Sequence, residues 1–444
     1  MSLTPLDQGL LRFLEFSLTL VFQEVYYADE LQAATRTLLS RWPTLGARLN
    51  LLRTDLIQVP SKSDEAPNVW TGRHIDRNLE QVIDISNPKR AGSNVKQLDE
   101  YFNFGNGLKQ ALRGQVFQVR TVFLRNATCL RFVFQHPLCD ATGGYTIARA
   151  YCNILNEKDV PDISFTRFPV QLKDEIIQEA LKEKDTQEQM PPVKESRDVF
   201  IWSWRDLLKK ASRLLARDLL RPSLRRVDNT LFIPAGRLQS WKEDARKQDI
   251  SVTEQDLLTA FIYQSVYNAS SPQDFVLVLG IRRYLQNQTP IHNSCILLPV
   301  SIDGLYDLDR LKMAPLPEIA AQVRRTIVAA RKPECLSGLL EFNSHSSKRP
   351  MIPRWIGRSA SQAAVTSWND LPLFGLDARG TKPSFIHGEL DLWGFMKKLR
   401  LSIDDIIISW KAKSVEEGDA GYWIRGRLTT TAWEKMAETL ESSS

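Results

Sequence analysis

The stretch Arg131-Phe-Val-Phe-Gln-His136-Pro-Leu-Cys139-Asp140-Ala-Thr-Gly143-Gly144-Tyr145-Thr-Ile-Ala-Arg-Ala150 decides how this chain is read. On a period of two, Leu130, Phe132, Phe134 and His136 share one face, so a strand over 129–136 delivers an imidazole at its end onto an apolar surface. Pro137 keeps His136 extended and stops the strand, while Thr142, Gly143 and Gly144 predict a turn into a helix over 145–153. An imidazole placed in this way is partly desolvated. With an ordinary pKa of about 6.5, a neutral His suits a general base that takes a proton as a hydroxyl or amine attacks a carbonyl. A lone His at a strand end also fits a satisfied core residue, and the rest of the chain has to decide between the two. Asp140 either orients the ring or locks the turn by pairing with a distant Arg. Cys139 is not read as a nucleophile, because residues three apart across a turn seldom align for proton transfer.

Working outward, the 444 residues fit two domains, at a prior of roughly 150 residues per domain. Hydrophobic content of 43%, charged content of 25%, 21 Gly and 22 Pro exclude a disordered, collagenous or disulfide-stapled chain. Five cysteines without a CxxC pair or a His cluster suggest neither a zinc site nor a disulfide framework, and their odd number fits a reducing, cytoplasmic setting. The first eight residues carry no positive charge, and Arg12, Glu15 and Gln23 interrupt the apolar run over 10–27, so neither a signal peptide nor a membrane span is expected.

The net charge of +6 is concentrated rather than spread. Over 201–230, eight basic residues face three Asp, a local +5, with leucines recurring at helical spacing between them. This reads as a solvated helix bridging domains, and no interleaving of aromatic and basic residues suggests nucleic acid. A polar stretch over 182–197 has the composition of a linker. The expected organisation is a first domain over 1–182, a linker and basic helix over 183–226, and a second domain over 227–444.

Helices are predicted over 31–42, 253–267 and 316–330, and strands over 115–124, 129–136, 231–234, 275–281, 296–300, 406–410 and 421–429. Ser251 or Thr253 is the N-cap of the second helix, with Glu254 and Asp256 in its first turn. Alternation of strands and helices in both halves places the chain in the α/β class, with α+β mixed sheets. No short internal repeat is present.

The spacing His136-x-x-x-Asp140 followed by Gly143 resembles the HxxxD motif of the CoA-dependent acyltransferase superfamily, and specifically the BAHD-type acyltransferases. Further matches run in order along residues 3 to 436. Leu3-Thr-Pro-Leu-Asp7-Gln8 is similar to that family's "L-S-x-L-D-Q" opening, and Leu39-Ser-Arg-Trp-Pro43-Thr-Leu-Gly46-Ala-Arg48-Leu49 to its "L-x-x-Y-P-x-A-G-R-L" element. Val252-Thr253-Glu-Gln-Asp256 resembles the helix on the CoA side, and Gly280-Ile-Arg282-Arg283 the "D-x-R-x-R" segment. Thr366-Ser-Trp368 through Asp377 and Lys382-Pro383 is similar to the "T-S-W … D-F-G-W-G-K-P" block, although Ala378, Arg379, Gly380 and Thr381 depart from it in the middle.

The resemblance implies two chloramphenicol-acetyltransferase-like domains, an active-site channel at their interface and a monomeric enzyme of the kind found in fungal secondary metabolism. It implies acyl-CoA as co-substrate, an acetyl donor first among the candidates, and a small-molecule alcohol such as a terpenoid or polyketide as acceptor, without metal or permanently bound cofactor. It further implies His136 as base, Asp140 held by Arg282 or Arg283, and Thr366 and Trp368 as stabilisers of the oxyanion. Gly143 and Asp377 would support the site, and Ser251, Thr253 and Lys382 would contact CoA. Two other readings stay open at this point. One is a condensation-type domain with a carrier-protein donor, which usually has a second His where Gln135 stands. The other is a catalytically silent binding scaffold of the same fold.

Overall fold

The computed structural model describes residues 5–7, 14–49, 57–58, 69–85, 88–103, 114–163, 165, 170–178, 199–201, 226–266, 274–286, 291–300, 306–307, 312–346, 354–356, 362–392, 406–413 and 420–441. Its principal strands are β1 (Leu14–Phe22), β2 (Trp70–His74), β3 (Phe117–Phe123), β4 (Thr128–Gln135), β5 (Arg226–Pro234), β6 (Asp274–Gly280), β7 (Cys295–Val300), β8 (Gln362–Ser367), β9 (Phe385–Leu392), β10 (Ile406–Lys411) and β11 (Gly421–Thr429). Its helices are α1 (Ala28–Arg41), α2 (Pro88–Tyr101), α3 (Ala141–Leu155), α4 (Ala235–Lys247), α5 (Glu254–Val266), α6 (Leu316–Ala330), α7 (Pro333–Ser346) and α8 (Thr430–Glu441). No helix among the described residues is long and apolar enough to cross a membrane.

Two mixed sheets carry the architecture. The first has the order β9-β1-β4-β3-β2 and the second β7-β6-β8-β10-β11-β5. In the first, only β2 and β3 run parallel; in the second, β8 lies parallel to both β6 and β10. Strand β9 belongs to the second half of the sequence yet pairs along its whole length with β1, from Leu14 opposite Leu392 to Val21 opposite Phe385. Residues 385–392, from the second half of the sequence, thus cross over to complete the first sheet. The linker stretch over 182–197 and nearly all of the basic segment over 201–226 lie outside the described residues.

The helices form where apolar spacing and end chemistry agree. In α1, Leu31, Ala34, Thr35 and Leu38 make the buried stripe, and Asp29 and Glu30 suit the positive N-terminal end. That end chemistry starts the helix three residues before the predicted 31, and Pro43 opens a separate short turn after it. The stripe packs into a core with Leu18, Leu20, Phe132 and Phe134 from the first sheet and Ile147 and Tyr151 from α3. Each such side chain, fully buried, contributes roughly 1.5–3 kcal/mol. Trp368, Leu376, Ile386, Trp410 and Trp423 join the same core from the second half of the chain. A second core gathers α5, α6 and α8 against the second sheet, around Leu257, Phe261, Ile319, Ile424 and Trp433.

The opposite face of the first sheet is polar although it is covered. Ser17, Thr19, Gln118, Arg131, Gln135 and His387 are all buried there. Strand periodicity explains the sorting, since these positions alternate with Phe16, Leu18, Phe117, Phe132 and Phe134.

Candidate active site

Strand β4 ends at Gln135, and the next residue, His136, is pinned at its backbone from both sides. Its N–H donates to the Leu14 carbonyl at 2.8 Å, and its carbonyl accepts from Asn293 Nδ2 at 2.8 Å. The ring lies on the apolar face that the periodicity predicts. Its centroid is 5.4 Å from that of Phe16 in an edge-on arrangement, and Phe16 stacks on Phe134 at 4.9 Å. His136 Nδ1 is buried and has no hydrogen-bond partner among the described residues. Burial outweighs the attraction of Asp140 and lowers the His136 pKa below its ordinary value. The imidazole is therefore neutral at neutral pH.

Asp140 faces away from this task. It is the N-cap of α3: Oδ1 accepts from the Gly143 N–H at 3.0 Å, and Oδ2 from the Ser294 N–H at 3.0 Å. Arg282 Nη2 reaches both of its oxygens, at 2.8 and 2.7 Å, and also donates to the His292 carbonyl at 2.6 Å. Arg283, the other arginine of that pair, is exposed and lies over Tyr284 at 4.6 Å. Asp140 thus locks the strand-to-helix turn, with a partner 142 residues away.

The helix after the motif begins at Ala141 rather than 145, so Gly143 and Gly144 sit inside its first turn and do not form a separate one. Close approach, rather than unusual dihedrals, explains these glycines. A Cβ on Gly143 would fall 2.5 Å from both the Cys139 Cβ and the Ile291 carbonyl oxygen, and one on Gly144 would fall 2.7 Å from Phe16. Cys139 is fully buried in this contact, as a packing residue.

Trp368 is one aromatic ring away from His136. Its indole meets Phe16 edge-on at 5.9 Å and covers Gly388, where a Cβ would come within 2.6 Å of it. The backbone N–H of Trp368 donates to the Ser409 carbonyl at 2.7 Å, and the neighbouring Ser367 and Asn369 side chains both bond Gln255 of α5. Thr366, half-buried, stands two residues earlier at the end of β8.

The residues predicted to contact CoA are dispersed in role. Thr253, and not Ser251, starts α5: its N–H and hydroxyl donate to Asp256 Oδ2 at 2.8 and 2.7 Å, and its Oγ1 accepts from the Asp256 N–H at 3.3 Å. Ser251 and Lys382 are exposed. Asp377 contributes through its backbone, whose carbonyl accepts from Asn156 Nδ2 at 2.6 Å, while its Oδ1 is buried without a partner. The departure after it forms a tight hairpin. Ala378 pairs with Thr381 across Arg379 and Gly380, both in the left-handed region at φ 54° and 76°. Arg379 then reaches Glu30 at 3.3 Å and the Tyr26 ring at 5.7 Å, so the altered block docks on the entry to α1.

Three participants carry no signal of their own in the sequence. Phe16 is one apolar strand residue among many. Asn293 and Ser294 lie on the segment that leads into β7, and only the fold brings them to His136 and Asp140.

No family model matches the sequence. It is similar to the acetyltransferase peniE of Penicillium patulum, 20% identical over 477 aligned residues that cover 95% of this chain and 93% of that protein. Among solved structures, vinorine synthase superposes with a TM-score of 0.63 at 13% identity, covering 99% of this chain and 92% of the other. TRI101 of F. sporotrichioides, complexed with coenzyme A and T-2, gives 0.62 at 14% identity, covering 98% and 96%. TRI101 of F. graminearum, complexed with ethyl coenzyme A, gives 0.58 at 12% identity over 98% and 96%. The resemblance read from the motifs thus extends along the whole chain: in sequence it is similar to a fungal acetyltransferase, and its fold is that of the BAHD-type acyltransferases.

Proposed function

We propose that this chain is an acyl-CoA-dependent O-acyltransferase. It would move an acyl group, acetyl first among the candidates, from the CoA thioester to a hydroxyl of a terpenoid or polyketide secondary metabolite. The observation that carries this reading is His136 itself: a half-buried, unprotonated imidazole whose Nδ1 is buried with no hydrogen-bond partner among the described residues, just past the end of a strand, in a chain with this fold. The neighbours' complexes with coenzyme A, and with the acceptors T-2 and deoxynivalenol, support the substrate classes.

In this reading His136 takes the proton of the acceptor hydroxyl as its oxygen bonds to the thioester carbonyl carbon. The carbonyl oxygen gains charge in the tetrahedral intermediate, and Thr366 and Trp368 are the donors nearest in the chain's logic to meet it. The C–S bond then breaks, the carbonyl re-forms, and His136 returns the proton to the CoA thiolate. The base requires a neutral ring, and burial supplies one. Asp140, already shared among Arg282, Gly143 and Ser294, keeps the scaffold around the base rather than exchanging protons with it.

The test is a thermal-shift titration with CoA, acetyl-CoA and longer acyl-CoAs, followed by an alcohol panel in which free CoA and acylated product are measured together. Ligand at about 100 times its dissociation constant adds roughly 2.7 kcal/mol of stability. Stabilisation by acyl-CoA with stoichiometric CoA and ester supports the reading. No stabilisation by any CoA thioester contradicts it.

A further inference from the structure

His136 is held most firmly at its peptide group. Nδ1 makes no hydrogen bond of standard geometry among the described residues, although Asn293 stands close enough to the ring to favour its charged form. The carbonyl of the same residue, in contrast, accepts from Asn293 Nδ2 at 2.8 Å, and the same amide nitrogen donates its second hydrogen to Asp7 Oδ1, also at 2.8 Å. Asn293 and Asp7 are both fully buried.

Chemistry fixes the orientation of this amide. Both partners, a peptide carbonyl and a carboxylate, are acceptors, so the NH2 end has to face them. That leaves Asn293 Oδ1 buried and without a partner of standard hydrogen-bond geometry among the described residues, at a cost the fold accepts. The three participants come from separate parts of the molecule. Asp7 ends the short turn Pro5–Asp7, His136 directly follows β4 of the first sheet, and Asn293 lies beside β6 of the second, where the Ile281 N–H donates to the Ser294 carbonyl at 2.7 Å.

We infer that Asn293, oriented by Asp7, is a positioning residue that sets the base through its backbone and couples the place of His136 to the second sheet. This rests on His136 being the base. Fixing a reacting group to within an ångström is worth about 100-fold in rate, and a donor to the carbonyl controls where the Cα–Cβ bond of His136 points.

The test compares Asn293→Asp, Asp7→Asn and the exchange Asp7→Asn/Asn293→Asp with His136→Ala. It follows release of the CoA thiol from acetyl-CoA with water as acceptor, alongside melting temperature. Asn293→Asp cannot donate to the His136 carbonyl and faces Asp7 with a like charge, so kcat falls about 10–100-fold, KM for acetyl-CoA holds and the protein melts earlier. The exchange lets Asn at position 7 donate to Asp at position 293, so the melting temperature recovers, but no donor reaches the His136 carbonyl and kcat stays low. Asp7→Asn alone keeps an acceptor oxygen toward Asn293 and holds kcat within about threefold. An exchange variant that regains kcat together with stability would overturn the inference, as would Asn293→Asp at the wild-type rate while His136→Ala is inactive. An Asp7→Asn loss as deep as that of Asn293→Asp would overturn it by assigning the effect to the charge of Asp7. Wild-type turnover by His136→Ala would remove the base itself, and this inference with it.

Discussion

Two histidines of this protein, the half-buried His136 and the fully buried His387, both have their pKa lowered by desolvation, yet their surroundings are opposite. His136 has an aromatic edge beside its ring, a ring nitrogen without a partner and a carboxylate nearby that is committed elsewhere. His387 sits on the polar face of the first sheet among charges. Its Nε2 contacts the Arg425 guanidinium and lies 3.6 Å from Asp99, and Arg425 bonds Asp99 at 2.9 Å and Asp228 at 2.7 Å. Arg131 also pairs with Asp99 and stacks on Phe102 at 4.1 Å. Burial opposes ionisation of Asp99, but Arg131 and Arg425 hold its carboxyl well below the usual range. The cluster ties α2, β4, β5, β9 and β11 together across both sheets. Asp99, His387 and Glu389 bring ligand-type atoms within 4.8 Å of one another, and the two guanidinium groups stand where a bound cation would otherwise balance them. A buried His with its ring enclosed by charges is structural; one whose charges are used up around its backbone, leaving the ring facing apolar space, is free to work on a substrate.

The largest expected effect breaks the comparison at His136. Replacing it with Ala lowers kcat by about 10²–10⁴-fold, with the affinity for acyl-CoA nearly unchanged, as measured by CoA release and thermal shift. At the other histidine the effect moves to stability. Arg425→Met leaves Asp99 and Asp228 short of a partner inside the protein and costs about 3–5 kcal/mol in chemical denaturation, while kcat of the fraction that stays folded is retained.

These two outcomes also show what the sequence holds. The strand face of Phe132, Phe134 and His136 is legible because period two survives in every residue, and the helix over 316–330 appears in the structure with the same bounds. The ion cluster is not legible. Asp99, Arg131, His387 and Arg425 are spread over more than 320 residues and read singly as surface charges, and β9 crosses between halves with no local signal. The start of α3 differs from the sequence expectation for a local reason: two adjacent glycines read as a turn, whereas Asp140 caps the helix and Cys139 and Ile291 leave no room for a Cβ at Gly143. Which of Arg282 and Arg283 pairs with Asp140 likewise depends on tertiary placement.

Between the two extremes lies Asp140. Asp140→Asn keeps the cap geometry but removes the charge that meets Arg282, and it lowers stability by about 1.5–3 kcal/mol, measured by denaturant titration. Activity falls through misplacement of the turn, and the acid limb of the pH profile moves to lower pH, because the Asp140 charge that favours the protonated imidazole is gone. The smallest effect treats both histidines alike. Each is held neutral in the folded protein, so the unfolded chain binds more protons as pH falls below about 6.5. Stability therefore decreases as pH drops from 6.5 through the lowered folded-state values, and replacing either histidine by a neutral residue flattens that decline in melting temperature.

The measurement that tests the central claim most directly is the pH dependence of kcat/KM for acyl transfer from acetyl-CoA, in the wild type and in His136→Ala. The account predicts an acid limb with a midpoint below about 6.5 in the wild type, set by a half-buried, desolvated imidazole that has to be neutral, and residual, limb-free turnover in the variant. Wild-type turnover by His136→Ala, with the same acid limb, would contradict it.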